Sequence, residues 1–456
     1  MAKKVYRTIQ IRLEPEGLER FTLECMCEQA NKLANCAVYA IRQGYFMVGG
    51  TGLVRPDYLS LDAWMKQIEN PHYRGIAAQA SQQVLKGVIE SFISFDELLQ
   101  MYWHGEVEKP KLPGYRKKGG MAAVSFPVQA VQFDLETGRC RLPLGNTMKA
   151  ESGIDSVWIK GAWGIKVEQI SEVRIIPRNG EFYAEYVYNA TGRQAKHSLD
   201  PTLALGIDPG RDNWLTCVSS NGKSFIIDGH KIKSINQFYN KRIATLKEGK
   251  SKEYWDAELA RITEKRNRQR RDAVNKSARF IVNHCLENGL GTVVFGWNEG
   301  IKDCADMGRK NNQEFVQIPT ARLKNRIKEL CEEYGIEFVE TEESYTSKAS
   351  FLDGDILPKF GEKPERWEPS GKRVKRGMYR TALGFLINAD CNAAANILRK
   401  VSIQLGLNLA KVCRVALSLP KRYDFFNSLK KSYRKRCVSG AKPQALARFQ
   451  PSANNV

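Results

Sequence analysis

The sequence predicts an α+β protein of several domains: a small N-terminal β-barrel with a helical insert, then a mixed half in which helices cover a sheet. Three observations predict it. Short apolar stretches separated by turn residues run from about residue 122 to residue 187. Between residues 16 and 107, apolar residues recur every three or four positions. Beyond residue 200, apolar runs and helical patterns alternate, the order of a sheet with crossover helices. With 456 residues, the chain is long enough for two to four such units.

Lys and Arg number 71 against 50 Asp and Glu, a formal charge of +21. Such an excess points to a polyanionic partner, nucleic acid first among them, without naming an activity. No apolar run approaches the roughly 18 residues of a membrane span, and the start, Met-Ala-Lys-Lys-Val-Tyr-Arg, has no apolar signal core behind it. The 11 cysteines include no CxxC pair, which reads as reduced thiols of an intracellular, cytoplasmic protein.

Residues 1 to 15 alternate as a strand, with Val5, Ile9, Ile11 and Leu13 set against Arg7, Gln10 and Arg12. Pro15-Glu-Gly opens a helix through about residue 46, and Ala80, Val84, Val88, Phe92, Phe95 and Leu99 mark a second. Tyr45, Phe46, Trp64, Tyr102 and Trp103 are read as core in preference to base-stacking platforms. Lys109, Lys111, Arg116, Lys117 and Lys118 lie in a Pro/Gly-broken basic loop. Strands are expected at Ala122–Phe126, Val131–Leu135, Arg139–Leu142, Val157–Ile159, Gly164–Val167, Glu172–Pro177 and Glu181–Val187, with hairpin turns at Thr137-Gly138 and Asn179-Gly180. The first strand would complete their barrel. Domain limits follow: 1–15 and 108–190 for the barrel, 16–107 for the helical insert, 191–400 for the mixed half, and 401–456 for a basic tail.

The mixed half opens with Ala204-Leu-Gly-Ile-Asp-Pro-Gly210, a strand ending on Asp208. Asp-Pro-Gly is also ordinary turn chemistry. Strands at 214–219 and 224–227 follow as a meander. A charged helical stretch then carries Arg266, Arg270 and Arg271 with few acids nearby, a candidate phosphate contact. Thr292–Gly296 and Gly335–Glu343 read as parallel strands joined by a helix over Pro319–Tyr334. Residues 344–386 look irregular, with Lys372, Arg373, Lys375 and Arg376 at their centre. A last helix begins near Asp390, where an Asp is also a common cap. Three antiparallel strands, then helix, strand, helix, strand, helix, is the element order of the RNase H-like fold. Carboxylates at its strand ends hold two Mg²⁺ ions for phosphodiester hydrolysis. Asp208 and Asp390 are in the right places for that.

Gly206-Ile-Asp-Pro-Gly210, Tyr345-Thr-Ser-Lys348 and Asp390-x-Asn-Ala-Ala-x-Asn-Ile397, in this order, resemble the TnpB family, the transposon-encoded relatives of the compact type V CRISPR effectors. The resemblance runs from the first strand to about residue 400. It implies a wedge barrel, a helical recognition insert and a RuvC-type nuclease, with residues 344–386 as a target-strand loading insert. It implies a Mg²⁺-dependent endonuclease cutting double-stranded DNA chosen by a guide RNA beside a short adjacent motif, as one protein on one RNA. Two departures stand out. Family members carry a Glu on the strand matching Thr292–Gly296, where this chain has Phe295-Gly296. Glu343 at the end of the neighbouring strand is the expected substitute, ahead of Glu342 and Glu299. Residues 332–390 also contain no Cys, so no zinc ribbon is expected there. Two other readings stay open: an RNA-guided DNA-binding regulator with a lapsed nuclease, and an RNA-independent resolvase or transposase.

Overall fold

A computed structural model describes residues 5–47, 56–162, 164–190, 198–298 and 318–425, with side chains of residues 45–47 left out. Two compact units divide the chain. The first comprises residues 1–193 and 251–265, the second 194–250 and 266–456.

In the first unit, β1 (Tyr6–Leu13), β2 (Val124–Pro127), β3 (Gln132–Asp134), β4 (Arg139–Pro143), β5 (Ser156–Lys160), β6 (Ile170–Arg178) and β7 (Glu181–Asn189) form two sheets. Their orders are β1-β7-β6-β2 and β3-β4-β5. The strands read as a single barrel are therefore split between two hydrogen-bonded ladders. β1 joins β7 antiparallel from Tyr6↔Asn189 to Leu13↔Phe182. β6 returns as β7 through Asn179 and Gly180, both at positive φ (51° and 75°), the backbone that a two-residue hairpin with native twist demands. The stretch Gly164–Val167 is not a strand. Its end passes into a single 3₁₀ turn, Val167–Gln169. A short helix, Asn146–Ser152, stopped by left-handed Gly153, was not foreseen.

Helices Gly17–Met47 and Ala78–Trp103 bury Leu23, Met26, Leu33, Leu85 and Phe92 in one core with Phe126, Phe182 and Tyr186 of the strands. The preference for core aromatics fails at the described positions. Trp64 and Trp103 are 41% and 68% exposed, because both fall off the apolar stripe of their helices. The basic loop runs along the first helix, strapped by Asn35, which accepts from Arg116 N–H (2.8 Å), and by Asn31, which donates to Lys117 O (3.0 Å). That leaves the side chains of Lys109, Lys111, Arg116, Lys117 and Lys118 exposed.

The second unit is built on a six-stranded sheet. β8 (Asp200–Pro209), β9 (Asn213–Ser219) and β10 (Ser224–Asp228) form an antiparallel meander. β11 (Leu290–Gly296) lies parallel to β8, and β12 (Glu337–Thr341) lies parallel to β11. β13 (Lys372–Lys375), β14 (Met378–Arg380) and β15 (Leu386–Asn388) make a separate small sheet, so part of the stretch read as irregular is a hairpin. β16 (Lys421–Tyr423) completes the large sheet in the order β12-β11-β8-β9-β10-β16. It comes from the segment read as tail, and three polar-rich residues offer no alternation by which to find it.

Alternation along β8 and β11 sorts the two faces of the sheet. Leu205, Ile207, Val293 and Phe295 join Val274, Ile281, Leu323 and Ile327 of the helices Ala257–Glu287 and Thr320–Tyr334. Ala204 and Val294 face the other way, against Ile397, Leu398 and Val401 of helix Ala389–Val401. That helix lies directly on β8: a Cβ at Gly206 would stand 2.6 Å from Ala394 O and from Leu398 Cγ. The small residues Ala393, Ala394 and Ala395 permit this approach. No described helix is long and apolar enough to cross a membrane.

Candidate carboxylate centre

Asp208 follows Gly206 by two residues, so it belongs to the row of β8 that faces helix Ala389–Val401. It stands at the strand end, paired across to Thr216 of β9. The helix begins at that edge. Asn388 is its N-cap, and the side-chain oxygen accepts from Asp390 N–H and Cys391 N–H, both at 3.0 Å. Capping is therefore done by Asn388, and the Asp390 carboxylate is turned to other partners. Asn213 Nδ2 donates to Oδ2 at 2.6 Å, and Arg373 Nη2 approaches Oδ1 at 3.3 Å. Arg422 Nη2 donates to Asn213 Oδ1 at 2.8 Å, which orients the amide so that its NH₂ meets Asp390.

Glu343 enters from the neighbouring strand. Two residues beyond β12, its N–H donates to Asn298 Oδ1 (3.0 Å), and its carbonyl accepts from Thr346 Oγ1 (2.8 Å). These bonds turn the chain over the end of β11. Oε1 of Glu343 is buried and has no hydrogen-bond partner. Burial pushes its carboxyl up to about 7, with Lys400 acting the other way. Glu342 diverges from it, taking Lys400 Nζ at 2.5 Å. Glu299 lies outside the described residues. Burial, then the charges of Glu343 and Asp390, hold the Asp208 carboxyl well above its ordinary range, and Arg373 opposes them. Glu343 and Asp390 thus both act on Asp208 at one sheet edge.

This donor set fits a hard divalent cation: all three side chains are carboxylates, and a buried orphan oxygen needs a partner. The set is not closed, however. Among the described residues, no three His, Cys, Asp or Glu side chains are gathered tightly enough to hold an ion as they stand. Asp390 instead leans on Asn213 and Arg373.

Helix Ala389–Val401 also organises the loop after Glu343. Asn392 Nδ2 donates to Ala349 O (2.7 Å), its Oδ1 accepts from Phe351 N–H (2.9 Å), and Asn396 Nδ2 donates to Thr346 O (2.9 Å). Both asparagines are fully buried, so the spacing seen in Asp390-x-Asn-Ala-Ala-x-Asn396 is a pair of staples on the loop from Thr346 to Phe351. Asn392→Ala is expected to cost about 2–3 kcal/mol, since it strands a buried N–H and weakens a buried C=O; thermal unfolding checks it. Further along, Asp355 draws the insert together by accepting from Ser350 N–H (2.7 Å) and Ser370 N–H (3.1 Å).

The basic residues fare differently. Lys372, Arg373, Lys375 and Arg376 are exposed on or beside the β13–β14 hairpin, yet Arg373 meets Asp390 and Arg376 forms an ion pair with Asp212. Arg266, Arg270 and Arg271 are half-buried rather than a solvated face, and the Arg266 guanidinium lies 3.8 Å from the centre of the Tyr239 ring. Sequence reasoning missed Asn213 and Arg422. The first was within reach, because the return of a hairpin from Asp208 brings Asn213 to the same edge. Nothing local marks Arg422.

Residues 186–302 match the family model described as a probable transposase, OrfB_IS605. Residues 321–397 match the TNB domain of the Cas12f1-like family. No curated protein matches the chain. Among solved structures, the chain is similar to a Cas12f1–sgRNA–target DNA complex, at 15% identity over 86% of this chain and 98% of that one, with a TM-score of 0.49. It is also similar to the mini-RNA-guided endonuclease Cas-phi3, at 10% identity over 87% and 92% of the two chains, with a TM-score of 0.41. The two family models follow one another along the mixed half, the first containing Asp208 and the second Glu343 and Asp390, and over those residues the chain is similar to both families.

Proposed function

We propose that the protein is an RNA-guided DNA endonuclease whose RuvC-like, RNase H-like half hydrolyses phosphodiesters at the Asp208–Glu343–Asp390 edge. The observation that carries this reading is the convergence of three carboxylates from β8, from the end of β12 and from the last helix, one of them with a buried unpartnered oxygen. Asp208, Glu343 and Asp390 would hold two Mg²⁺ ions, which supply water activation and charge neutralisation at the leaving oxygen. The protein's own share is positional. β8 fixes Asp208, Asn213 holds Asp390 through a hydrogen bond to Oδ2, and Asn298 anchors the turn that carries Glu343. Arg373 is placed to exchange its carboxylate for a DNA phosphate when a strand arrives, since guanidinium serves both.

The N-terminal unit, with its wedge-like sheets and helices, would hold guide RNA and duplex target. Its exposed Lys109, Lys111, Arg116, Lys117 and Lys118 suit phosphates, and the chain's +21 charge suits a heteroduplex held by its backbone. Lys372, Lys375, Arg376, Arg266, Arg270 and Arg271 are the candidate contacts of the second unit. The test is to purify the full chain, sequence the RNA that comes with it, and incubate the complex with matching and mismatched DNA in Mg²⁺ or EDTA. Guide-matched, Mg²⁺-dependent cutting is expected. Tight guided binding without cutting favours the lapsed-nuclease regulator, and absence of a defined RNA favours the RNA-independent resolvase or transposase.

A further inference from the structure

In parallel register, Val294 of β11 lies beside Gly206 of β8, and Phe295 lies beside Ile207. Phe295 is buried on the far face, among the apolar residues beneath the other helices. The next residue, Gly296, therefore faces helix Ala389–Val401, in line with Asp208. So the β11 position neighbouring Asp208 is 296, and it has no side chain. A Cβ built there would stand 2.9 Å from Glu343 Cγ, 2.9 Å from Glu343 Oε1 and 2.6 Å from Ile397 Cδ1. Real Cβ atoms do not approach so closely, so the space beside Gly296 is already filled by the glutamate of the next strand. β12 makes this possible: Thr341 pairs with Gly296, Trp297 N–H donates to Thr341 O at 2.8 Å, and the chain then folds Glu343 back over the strand end.

We infer that Gly296 is a positioning residue: its missing side chain is the seat of the Glu343 carboxylate, so that positions 296 and 343 can supply one acid between them but never two side chains at once. Any side chain at 296 evicts Glu343 from the centre, and an acid at 296 replaces it once Glu343 is gone. The inference rests on the reading of Glu343 as a metal ligand in the proposed function, while its steric half is independent of metal.

Two measurements separate these parts. Both use the full chain carrying Ile397→Val, which removes the Cδ1 atom and leaves the Glu343 contact alone. The first is a thermal double-mutant cycle in EDTA. Gly296→Ala is expected to lower the melting temperature by about 4 °C beside Glu343, and by far less beside Glu343→Ala, so the two changes are non-additive. Equal losses in both backgrounds would overturn the inference. The second is Mn²⁺ binding followed by electron paramagnetic resonance. Gly296→Ala is expected to weaken it roughly tenfold, Glu343→Ala at least as much, and Gly296→Glu combined with Glu343→Ala to bring it back. Failure of that combination to recover binding, in a protein that unfolds cooperatively, overturns the exchange of acids between strands. If Glu343→Ala binds Mn²⁺ like its parent, the ligand assignment in the proposed function fails, whatever the thermal cycle shows.

Discussion

Asp208→Asn is expected to reduce guide-directed cleavage on the order of 10³-fold or more, with RNA binding and cooperative unfolding kept. The magnitude follows from the several kcal/mol that a metal-bound carboxylate centre contributes to a phosphodiester transition state, at about 1.4 kcal/mol per factor of ten. Asn preserves the shape of the side chain at the end of β8 and the backbone pairing with Thr216. It removes the charge that a divalent cation needs. It also removes a carboxyl whose ionisation is opposed by burial and by the charges of Glu343 and Asp390. The metal-free variant should therefore melt no lower than the parent at neutral pH. This split between activity and stability distinguishes a ligand from turn chemistry: a structural Asp-Pro-Gly turn would lose stability first. Cleavage by Asp208→Asn within tenfold of the parent would sink the assignment, and a fall in melting temperature at neutral pH would return Asp208 to the turn.

The parts of this centre that were legible in the sequence are those set by local pattern. A buried strand reaching Asp208 and a helix whose small residues Ala393, Ala394 and Ala395 permit close packing are both written in consecutive residues. Alternation lets only one of Glu342 and Glu343 face that edge without saying which; in the structure Glu342 pairs with Lys400 and Glu343 is the buried one. What was not legible depends on partners far along the chain. Asn213 becomes a holder of Asp390 only because residues 177 positions apart meet at one edge. Arg422 fixes that amide from a strand of three residues. Which of 295 and 296 lies beside Asp208 could not be read from composition; the burial of Phe295 on the opposite face leaves that place to Gly296. The N-terminal strands were foreseen one by one, apart from Gly164–Val167, but alternation says nothing of which strand hydrogen-bonds to which. Two ladders therefore stand where one barrel was expected.

The second large effect is a pH-dependent reversal at Glu343. Its carboxyl is pushed up to about 7 by burial, with Lys400 pulling the other way, against an unfolded value of about 4.3. The folded state therefore binds the proton more tightly than the unfolded state does. The resulting stabilisation is complete below the unfolded value and is lost as pH rises through about 7. Glu343→Gln keeps the neutral shape at every pH. In EDTA the two proteins should have similar stability near pH 4, and the Gln variant should lead by about 3 kcal/mol at pH 8, since each tenfold difference in proton affinity between the folded and unfolded states is worth about 1.4 kcal/mol. Groups that do not feel Glu343 cancel in the difference, and Asp208, whose carboxyl the Glu343 charge helps to hold up, shifts it in the same direction. Adding Mg²⁺ at pH 8 should invert the order, because the cation stabilises only the protein that retains its ligand. Melting curves of both proteins across pH, with and without Mg²⁺, read all three limbs. A difference that does not change with pH would mean that the buried Oε1 has a partner in solution. A pH-dependent difference that Mg²⁺ leaves untouched would keep Glu343 as a buried acid and remove it from the metal centre.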